Sequence, residues 1–125
     1  MTPTARSLKV LRDDGWTAGV VERFNRFAKV RNDLLGCIDI VAVHPDRGIL
    51  GVQACSDGGT RGSDVGTHVT KALAEPRLAT WLQAGGKFEV WGWGKRGAAG
   101  ARKLWTLRRQ RVALNWHDEL IVEAA

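Results

Sequence analysis

Hydrophobic residues are concentrated in two short runs near the middle of the chain, CIDIVAV at residues 37–43 and GILGVQAC at residues 48–55. Short runs rich in Ile and Val, bounded by turn residues, are typical of buried strands. A Pro-Asp-Arg-Gly turn joins the two runs, so the pattern predicts a β-hairpin. With the turn centred on its Pro-Asp pair, residues whose numbers add to 92 face each other, which places Asp39 opposite Gln53.

Side-chain alternation divides this hairpin into an apolar face and a face that carries polar groups. Asp39 and Gln53 share the second face with Cys37 and Cys55, which also oppose each other. The first face is predicted to be core and carries Ile38, Ile40, Leu50, Val52 and Ala54. An acid inside such an apolar run is unusual, so the face of Asp39 and Gln53 is the candidate site.

Helices and further strands are predicted around this hairpin. The predicted helices are residues 4–14, 63–74 with Ser63 as N-cap, 77–84, and a short helical tail within 115–125. The predicted strands outside the hairpin are residues 17–24, 87–94 and 103–114, and residues 28–31 are predicted to be extended. This order, helix, three strands, helix and two strands, favours an α/β fold with a mixed sheet of about five strands flanked by helices, in a single domain over residues 1–125.

The charged N-terminal segment favours a location in the cytoplasm, and the two cysteines are compatible with it. The N-terminus carries charges where a secretory signal would need an apolar segment, and no apolar run approaches the roughly 18 residues of a membrane span. No membrane association is therefore expected. The two cysteines are expected to be reduced thiols, since cytoplasmic disulfides are rare.

The charge distribution is more informative than the overall composition. The chain has 19 Lys and Arg against 13 Asp and Glu, a net charge of +6, and residues 87–111 hold eight basic residues with the single acid Glu89, a net charge of +7. Basic residues interleaved with Trp91, Trp93 and Trp105 suit a nucleic-acid partner, DNA or RNA. A solvated basic face is the alternative. The candidate nucleic-acid-binding residues are Arg31, Lys95, Arg96, Arg102, Lys103 and Trp93.

The order of elements, with IDIV at residues 38–41 and GVQAC at residues 51–55, resembles the PD-(D/E)XK nuclease superfamily. The small members similar to Holliday junction resolvases and to phage or bacterial nucleases are the nearest in pattern, and the resemblance covers about residues 17–90. It implies a restriction-endonuclease-like core and a metal-dependent DNA endonuclease, structure-specific or junction-resolving. The resemblance to the resolvase-like members also makes a homodimer a candidate assembly for this chain.

The resemblance also assigns roles to residues of the hairpin. Asp39 corresponds to the family's aspartate and Gln53 to its glutamate, whereas Cys55 stands in the position of the lysine. Asp39, Gln53 and the Ala54 carbonyl would hold Mg²⁺ or Mn²⁺, because hard cations prefer oxygen ligands. Such a cation polarises the phosphate and lowers the pKa of a bound water.

Two departures from the family pattern call for further residues. Gln in place of Glu removes one negative charge, so Glu22 or Asp33 is expected to contribute a carboxylate. Cys in place of Lys removes the cation that orients water or stabilises developing charge, and Lys71 is preferred over Lys29 as its replacement.

Each of these residues also has a structural interpretation. Asp39 would be a buried acid paired with Arg31 or Arg23, Gln53 would satisfy hydrogen bonds of the sheet, and Glu22 would form a surface ion pair. A zinc site from Cys37, Cys55, His44 and His68 has suitable ligand types with unsuitable spacing. The corresponding functional alternatives are a nucleic-acid-binding protein with a decayed site and a protein-interaction or assembly factor.

Overall fold

The computed structural model describes residues 1–58 and 64–125, apart from the side chain of Arg31. Over these residues the chain forms three helices and eight strands. In chain order they are α1 (Pro3–Asp13), β1 (Thr17–Val20), β2 (Arg23–Asn25), β3 (Val30–Asn32), β4 (Ile40–His44), β5 (Gly48–Ser56), α2 (Val65–Leu73), α3 (Pro76–Gln83), β6 (Lys87–Arg96), β7 (Leu104–Leu114) and β8 (Leu120–Ala124).

Six of the strands form one open mixed sheet in the order β1-β4-β5-β6-β7-β8. Strands β5 and β6 are parallel, and every other neighbouring pair in this sheet is antiparallel. A parallel pair needs a crossover connection, and here the connection contains α2 and α3. Strands β2 and β3 pair only with each other, as a separate two-stranded ribbon. The α/β class and the mixed sheet are therefore confirmed, with more strands than the five expected.

The central hairpin has the predicted register. Ile40 pairs with Val52 and His44 with Gly48, so the residue numbers of each pair add to 92. Asp39 lies directly before β4 and donates its backbone N–H to the carbonyl of Val52 at 2.9 Å. Asp39 is thereby held opposite Gln53, as the turn predicted.

Helices cover both faces of this hairpin, so both faces contribute to the core. Beneath α1 lies one apolar cluster, formed by Leu11, Ile40, Ala42, Leu50, Val52 and Trp91. Beneath α2 and α3 lies another, formed by Cys37, Ile38, Cys55, Val65, Val69, Ala72, Leu78, Phe88, Val90 and Val112. The polar groups of the second face are consequently confined to one end of the hairpin.

The assignment of Ile38 to the same face as Ile40 is wrong. Residues 34–38 form a tight turn in which Leu34 bridges to Ile38, and Leu35 and Gly36 both have positive φ. Because regular strand geometry begins only at Ile40, the alternation does not extend back to Ile38. Its side chain instead lies over Gly51, where an added Cβ would be 2.9 Å from Cδ1 of Ile38.

Two further predictions are corrected at the ends of elements. The predicted strand at residues 17–24 is two short strands, because the chain leaves the main sheet after β1 and starts the ribbon with β2. The predicted helical tail is β8, which gains stability by pairing with β7 along the sheet edge.

The helix ends follow capping chemistry. Thr2 caps α1 by accepting from the Ala5 N–H at 3.1 Å, and Gly15 continues the chain with φ of 89°. Asp64 is the N-cap of α2, since its carboxylate accepts from the Thr67 N–H at 2.6 Å. The predicted N-cap, Ser63, lies outside the described residues.

Within residues 1–58 and 64–125, no helix is long and apolar enough to cross a bilayer.

Gly92 in β6 lies against the start of α2. A Cβ there would lie 2.3 Å from Cγ2 of Val65 and 2.8 Å from Cβ of Asp57. We therefore expect Gly92→Ala to lower the free energy of unfolding by about 1–3 kcal/mol, measured by urea denaturation. Gly19→Ala in β1 is the matched control, because no atom lies within 4 Å of its added Cβ, and it is expected to be neutral or slightly stabilising. Equal stabilities of the two variants would contradict this packing.

Candidate metal centre

Three carboxylates meet at one end of the central hairpin. Ligand oxygens of Glu22, Asp33 and Asp39 all lie within 4.8 Å of one another. Asp39 is buried, with 5% of its surface exposed, and the other two are half-buried. The cluster combines the predicted acid of the hairpin with both upstream acids proposed to assist it.

The β2–β3 ribbon brings the two upstream acids together. Glu22 directly precedes β2 and Asp33 directly follows β3, and Arg23 pairs with Asn32 at the base of the ribbon. Antiparallel pairing returns the chain to its starting point, so residues eleven positions apart in sequence become neighbours. The Val21 N–H donates to the Asp39 carbonyl at 2.8 Å, which joins the ribbon base to the hairpin.

The Asp39 carboxylate is held by backbone and surrounded by like charge. Its Oδ2 accepts from the Ala54 N–H at 2.8 Å. Burial, the adjacent Asp33 carboxyl and the charge of Glu22 raise the pKa of Asp39 to about 8. Close carboxylates oppose each other's ionisation, so the cluster retains a proton near neutral pH when no cation is bound.

Gln53 supplies a neutral oxygen beside these acids. Its side chain is buried, with 3% exposed, and its Nε2 lies 3.5 Å from Oδ2 of Asp33, a long contact. Its Oε1 is buried and has no hydrogen-bond donor among the described residues. Because buried amide oxygens normally accept a hydrogen bond, this unsatisfied oxygen fits a ligand that bears positive charge.

Lys71 is a cation that the fold brings to the cluster. It projects from α2, and its Nζ lies 4.0 Å from Oδ2 of Asp33, with 57% of the side chain exposed. Lys29, the other lysine considered, lies in the turn of the ribbon. Ala54 contributes its N–H to Asp39, while ligation by its carbonyl stays a prediction.

The cysteines provide no charge to the site. Cys37 and Cys55 are buried free thiols, and burial raises their pKa values to about 11 and about 12, respectively. Cys55 is therefore a neutral apolar group where the family pattern has a lysine. In the described part of the chain, the three acids are the only group of three or more potential metal ligands, so the zinc site considered above is not formed.

The predicted nucleic-acid-binding residues are placed in different environments. Trp93 is buried at 8% exposure, and its Nε1 donates to Oγ of Ser7 at 2.9 Å, so the indole packs between sheet and α1 and is not available for base stacking. Arg96 forms an ion pair with the buried Asp57. Lys95, Arg102 and Lys103, which are also among the predicted binding residues, are exposed on the β6–β7 hairpin. The side chain of Arg31 lies outside the described residues.

Sequence reasoning missed the β2–β3 ribbon and its exposed aromatic residues. The signal was present in RFNRFAKVR at residues 23–31, which combines four basic residues and two Phe with no acid. Alternation alone does not show that these residues leave the main sheet.

The cluster as a whole offers three carboxylates, one unsatisfied amide oxygen and one nearby ammonium group. Hard oxygen donors in this number suit Mg²⁺, Mn²⁺ or Ca²⁺ rather than a soft metal.

Comparisons of the chain with protein-family models, curated proteins and solved structures found no match.

The raised pKa of Asp39 predicts how stability changes with pH in metal-free buffer. The carboxyl keeps its proton up to about pH 8 in the folded protein but loses it near 3.8 when unfolded, so unfolding releases a proton between these values. The free energy of unfolding should therefore fall as pH rises from about 4 to about 8. Asp39→Asn should remove this fall and be the more stable protein at pH 8 by on the order of 2 kcal/mol, less than full linkage because the cluster shares its proton.

Urea denaturation with chelator at about pH 4, 6 and 8 measures this difference. Asp46→Asn is the matched control, since it removes an exposed carboxyl from the turn of the same hairpin. It should keep the pH slope of the wild type. An Asp39→Asn variant with an unchanged slope would contradict the buried, mutually repelling carboxylates.

Proposed function

We propose that this protein is a metal-dependent DNA endonuclease that hydrolyses phosphodiester bonds at the cluster of Glu22, Asp33 and Asp39. The observation that carries the proposal is the meeting of three carboxylates with the unsatisfied Oε1 of Gln53. Sites of this composition hold divalent cations for phosphoryl chemistry. Mg²⁺ or Mn²⁺ is the cofactor.

The roles of the side chains follow from their charge and burial. The three carboxylates and the Gln53 oxygen would hold the cation, which supplies Lewis-acid activation of the phosphate and of water when bound. A bound cation would also favour the ionised form of Asp39, and so oppose the burial and the repulsion that raise its pKa. Ala54 orients Asp39 through its N–H, so this carboxylate is positioned before any ligand arrives.

Lys71 takes the role for which Cys55 is unsuited. A buried neutral thiol cannot stabilise the negative charge that develops on phosphate oxygens, whereas an ammonium group can. Lys71 reaches the cluster from α2 while keeping more than half of its side chain exposed. Its position at the rim allows contact with a phosphate that enters from solvent.

The arrangement of elements supports a restriction-endonuclease-like core. Without the ribbon and α3, the chain runs α1, β1, β4, β5, α2, β6, which matches the first six elements of the predicted order on which the resemblance rests. Asp39, directly before β4, and Gln53, on β5, lie where the resemblance expects the acidic motif. The antiparallel β1, β4 and β5 with a parallel β6 form a continuous sheet behind the site.

Charge supports DNA as the substrate. Lys95, Arg102 and Lys103 are exposed on the β6–β7 hairpin, and the whole chain carries +6. Exposed cations displace the counterions condensed on a nucleic-acid backbone, which drives binding at moderate salt. These three residues are proposed as phosphate contacts.

A second candidate is a nucleic-acid-binding protein of the same fold that does not cleave. The neutral thiol of Cys55 and the amide of Gln53, in place of a lysine and a glutamate, favour it. Both candidates predict that the protein binds DNA, and only the first predicts that it cleaves DNA. A cleavage assay therefore separates them.

Cleavage of supercoiled plasmid and of forked oligonucleotides with Mg²⁺ or Mn²⁺ tests the proposal. Wild-type protein should nick or cut DNA, and chelator should abolish the activity. Asp39→Asn and Lys71→Met should each lower the rate by about 100-fold or more, because they remove a metal ligand and a charge-stabilising group.

Asp46→Asn, on the exposed turn of the same hairpin, is the control for cleavage and should retain wild-type activity. Wild-type protein that binds DNA but leaves it intact with both metals would refute the endonuclease and support the non-cleaving candidate. Unchanged cleavage by Asp39→Asn would place the chemistry elsewhere in the molecule.

Metal binding is tested separately through thermal stability. Mn²⁺ at about 100 times its Kd should stabilise wild-type protein by about 2.7 kcal/mol, because a ligand that binds only the folded state shifts the unfolding equilibrium. This stabilisation is measured as an increase in Tm. Asp39→Asn should show little of the increase, whereas Asp46→Asn should show all of it. An equal shift in all three proteins would mean that Mn²⁺ binds outside the cluster.

A further inference from the structure

The β2–β3 ribbon presents two aromatic side chains to solvent. Phe24 in β2 is 62% exposed and Phe27 in the turn is 89% exposed. Exposed Phe side chains this close together are unusual on a protein surface, since burial is the favoured state for both. The ribbon therefore has a feature that the packing of the fold does not explain.

The same ribbon is strongly basic. Residues 23–31 include four cations and no acid. Among the described ion pairs, none involves Arg23, Arg26 or Lys29. The Arg26 guanidinium lies 5.6 Å from the ring centroid of Phe27, so a cation and an aromatic ring lie side by side at the tip.

The turn of the ribbon has a defined conformation. Oδ1 of Asn25 accepts from the N–H groups of Phe27 and Ala28 at 3.0 and 3.1 Å, and Lys29 has φ of 54°. An open cleft of about 470 Å³ lies along one side of the ribbon. It is lined by Arg23, Phe24, Asn25, Arg26, Phe27 and Asn32. Its size falls within the range of sites for small organic groups such as a base.

The ribbon starts and ends at the acidic cluster of Glu22, Asp33 and Asp39. Glu22 directly precedes it and Asp33 directly follows it, so both strands lead away from the acids. Phe27 is five residues from Glu22, which limits their Cα separation to about 18 Å. At the roughly 3.4 Å per nucleotide of a base-stacked strand, that limit corresponds to at most about five nucleotides. A strand with a phosphate at the cluster can therefore lie along the ribbon.

We propose that the ribbon binds unpaired bases of the strand to be cleaved, with Phe24 and Phe27 stacking on bases and Arg23, Arg26 and Lys29 contacting phosphates. The inference rests on the proposed function, because it assigns single-stranded or branched DNA to the acidic cluster as its substrate class. Cations among exposed aromatic rings match a polyanion whose bases are accessible, as in single strands. A second copy of this chain is a poor occupant, since two such ribbons would repel each other.

Binding without cleavage tests the ribbon independently of catalysis. Fluorescence anisotropy with chelator present would measure the binding of a labelled DNA strand of about 16 nucleotides, as a single strand and as a blunt duplex. The double variant Phe24→Ala/Phe27→Ala should weaken binding of the single strand by about tenfold or more, and of the duplex by no more than about twofold. Arg26→Ala should weaken both and reduce the salt dependence of binding.

Trp116→Ala is the matched control, because Trp116 is another aromatic residue with 87% exposure, in the β7–β8 turn. It should leave binding of both DNA forms unchanged. Circular dichroism and Tm verify that each variant is folded. Equal loss on single strand and duplex, or no loss on either, would overturn the proposal. A change in oligomeric state with unchanged DNA binding would identify the ribbon as a protein interface instead.

The two proposals fail in different ways. Wild-type protein that prefers single strands through Phe24 and Phe27 but never cleaves would refute the endonuclease and leave the ribbon's role intact. Wild-type protein that cleaves DNA while the double variant binds and cleaves forked DNA normally would refute the ribbon's role alone.

Discussion

The burial of Asp39 beside two other carboxylates is the constraint around which the site is built. A buried acid is tolerated when a cation or hydrogen bonds offset its desolvation. The Asp39 carboxylate accepts a backbone hydrogen bond from Ala54 on the neighbouring strand and also lies close to Asp33 and Glu22. Its raised pKa is the result, and a divalent cation is the natural means of relieving it. The register of β4 and β5 and the closed base of the ribbon are what hold these charges together.

The other buried acids show how this chain treats carboxylates that only stabilise the fold. Asp57 forms ion pairs with Arg96 and Arg108 and accepts the Val65 N–H at the start of α2. Glu89 accepts from the Trp91 indole and pairs with Arg111. No arginine pairs with Asp39 among the described side chains. The buried acids Asp57 and Glu89 are thus paired with arginines, whereas Asp39, within the described part of the chain, is not. One of these ion pairs is the reason why Arg96 contacts Asp57.

The ribbon connects the shape of the chain to its proposed chemistry. The segment between β1 and β4 closes on itself as paired strands and delivers Glu22 and Asp33 to Asp39. The same paired strands present Phe24 and Phe27 at a limited distance from the acids. The proposed substrate contact and the proposed metal ligation thus depend on one local element, which would link recognition of a strand to the position of its phosphate.

Local chemistry was readable from the sequence alone. The Pro-Asp-Arg-Gly turn set the register that places Asp39 opposite Gln53, and capping residues and glycines marked the helices to within a few positions. These features depend on residues close together along the chain. Tertiary structure alone decided that Ile38 turns away from the face of Ile40, that Trp93 is buried, and that the tail pairs as β8. It also decided that Glu22 and Asp33 meet, because contacts between distant residues depend on how strands pair and helices pack, which alternation along a single strand does not encode.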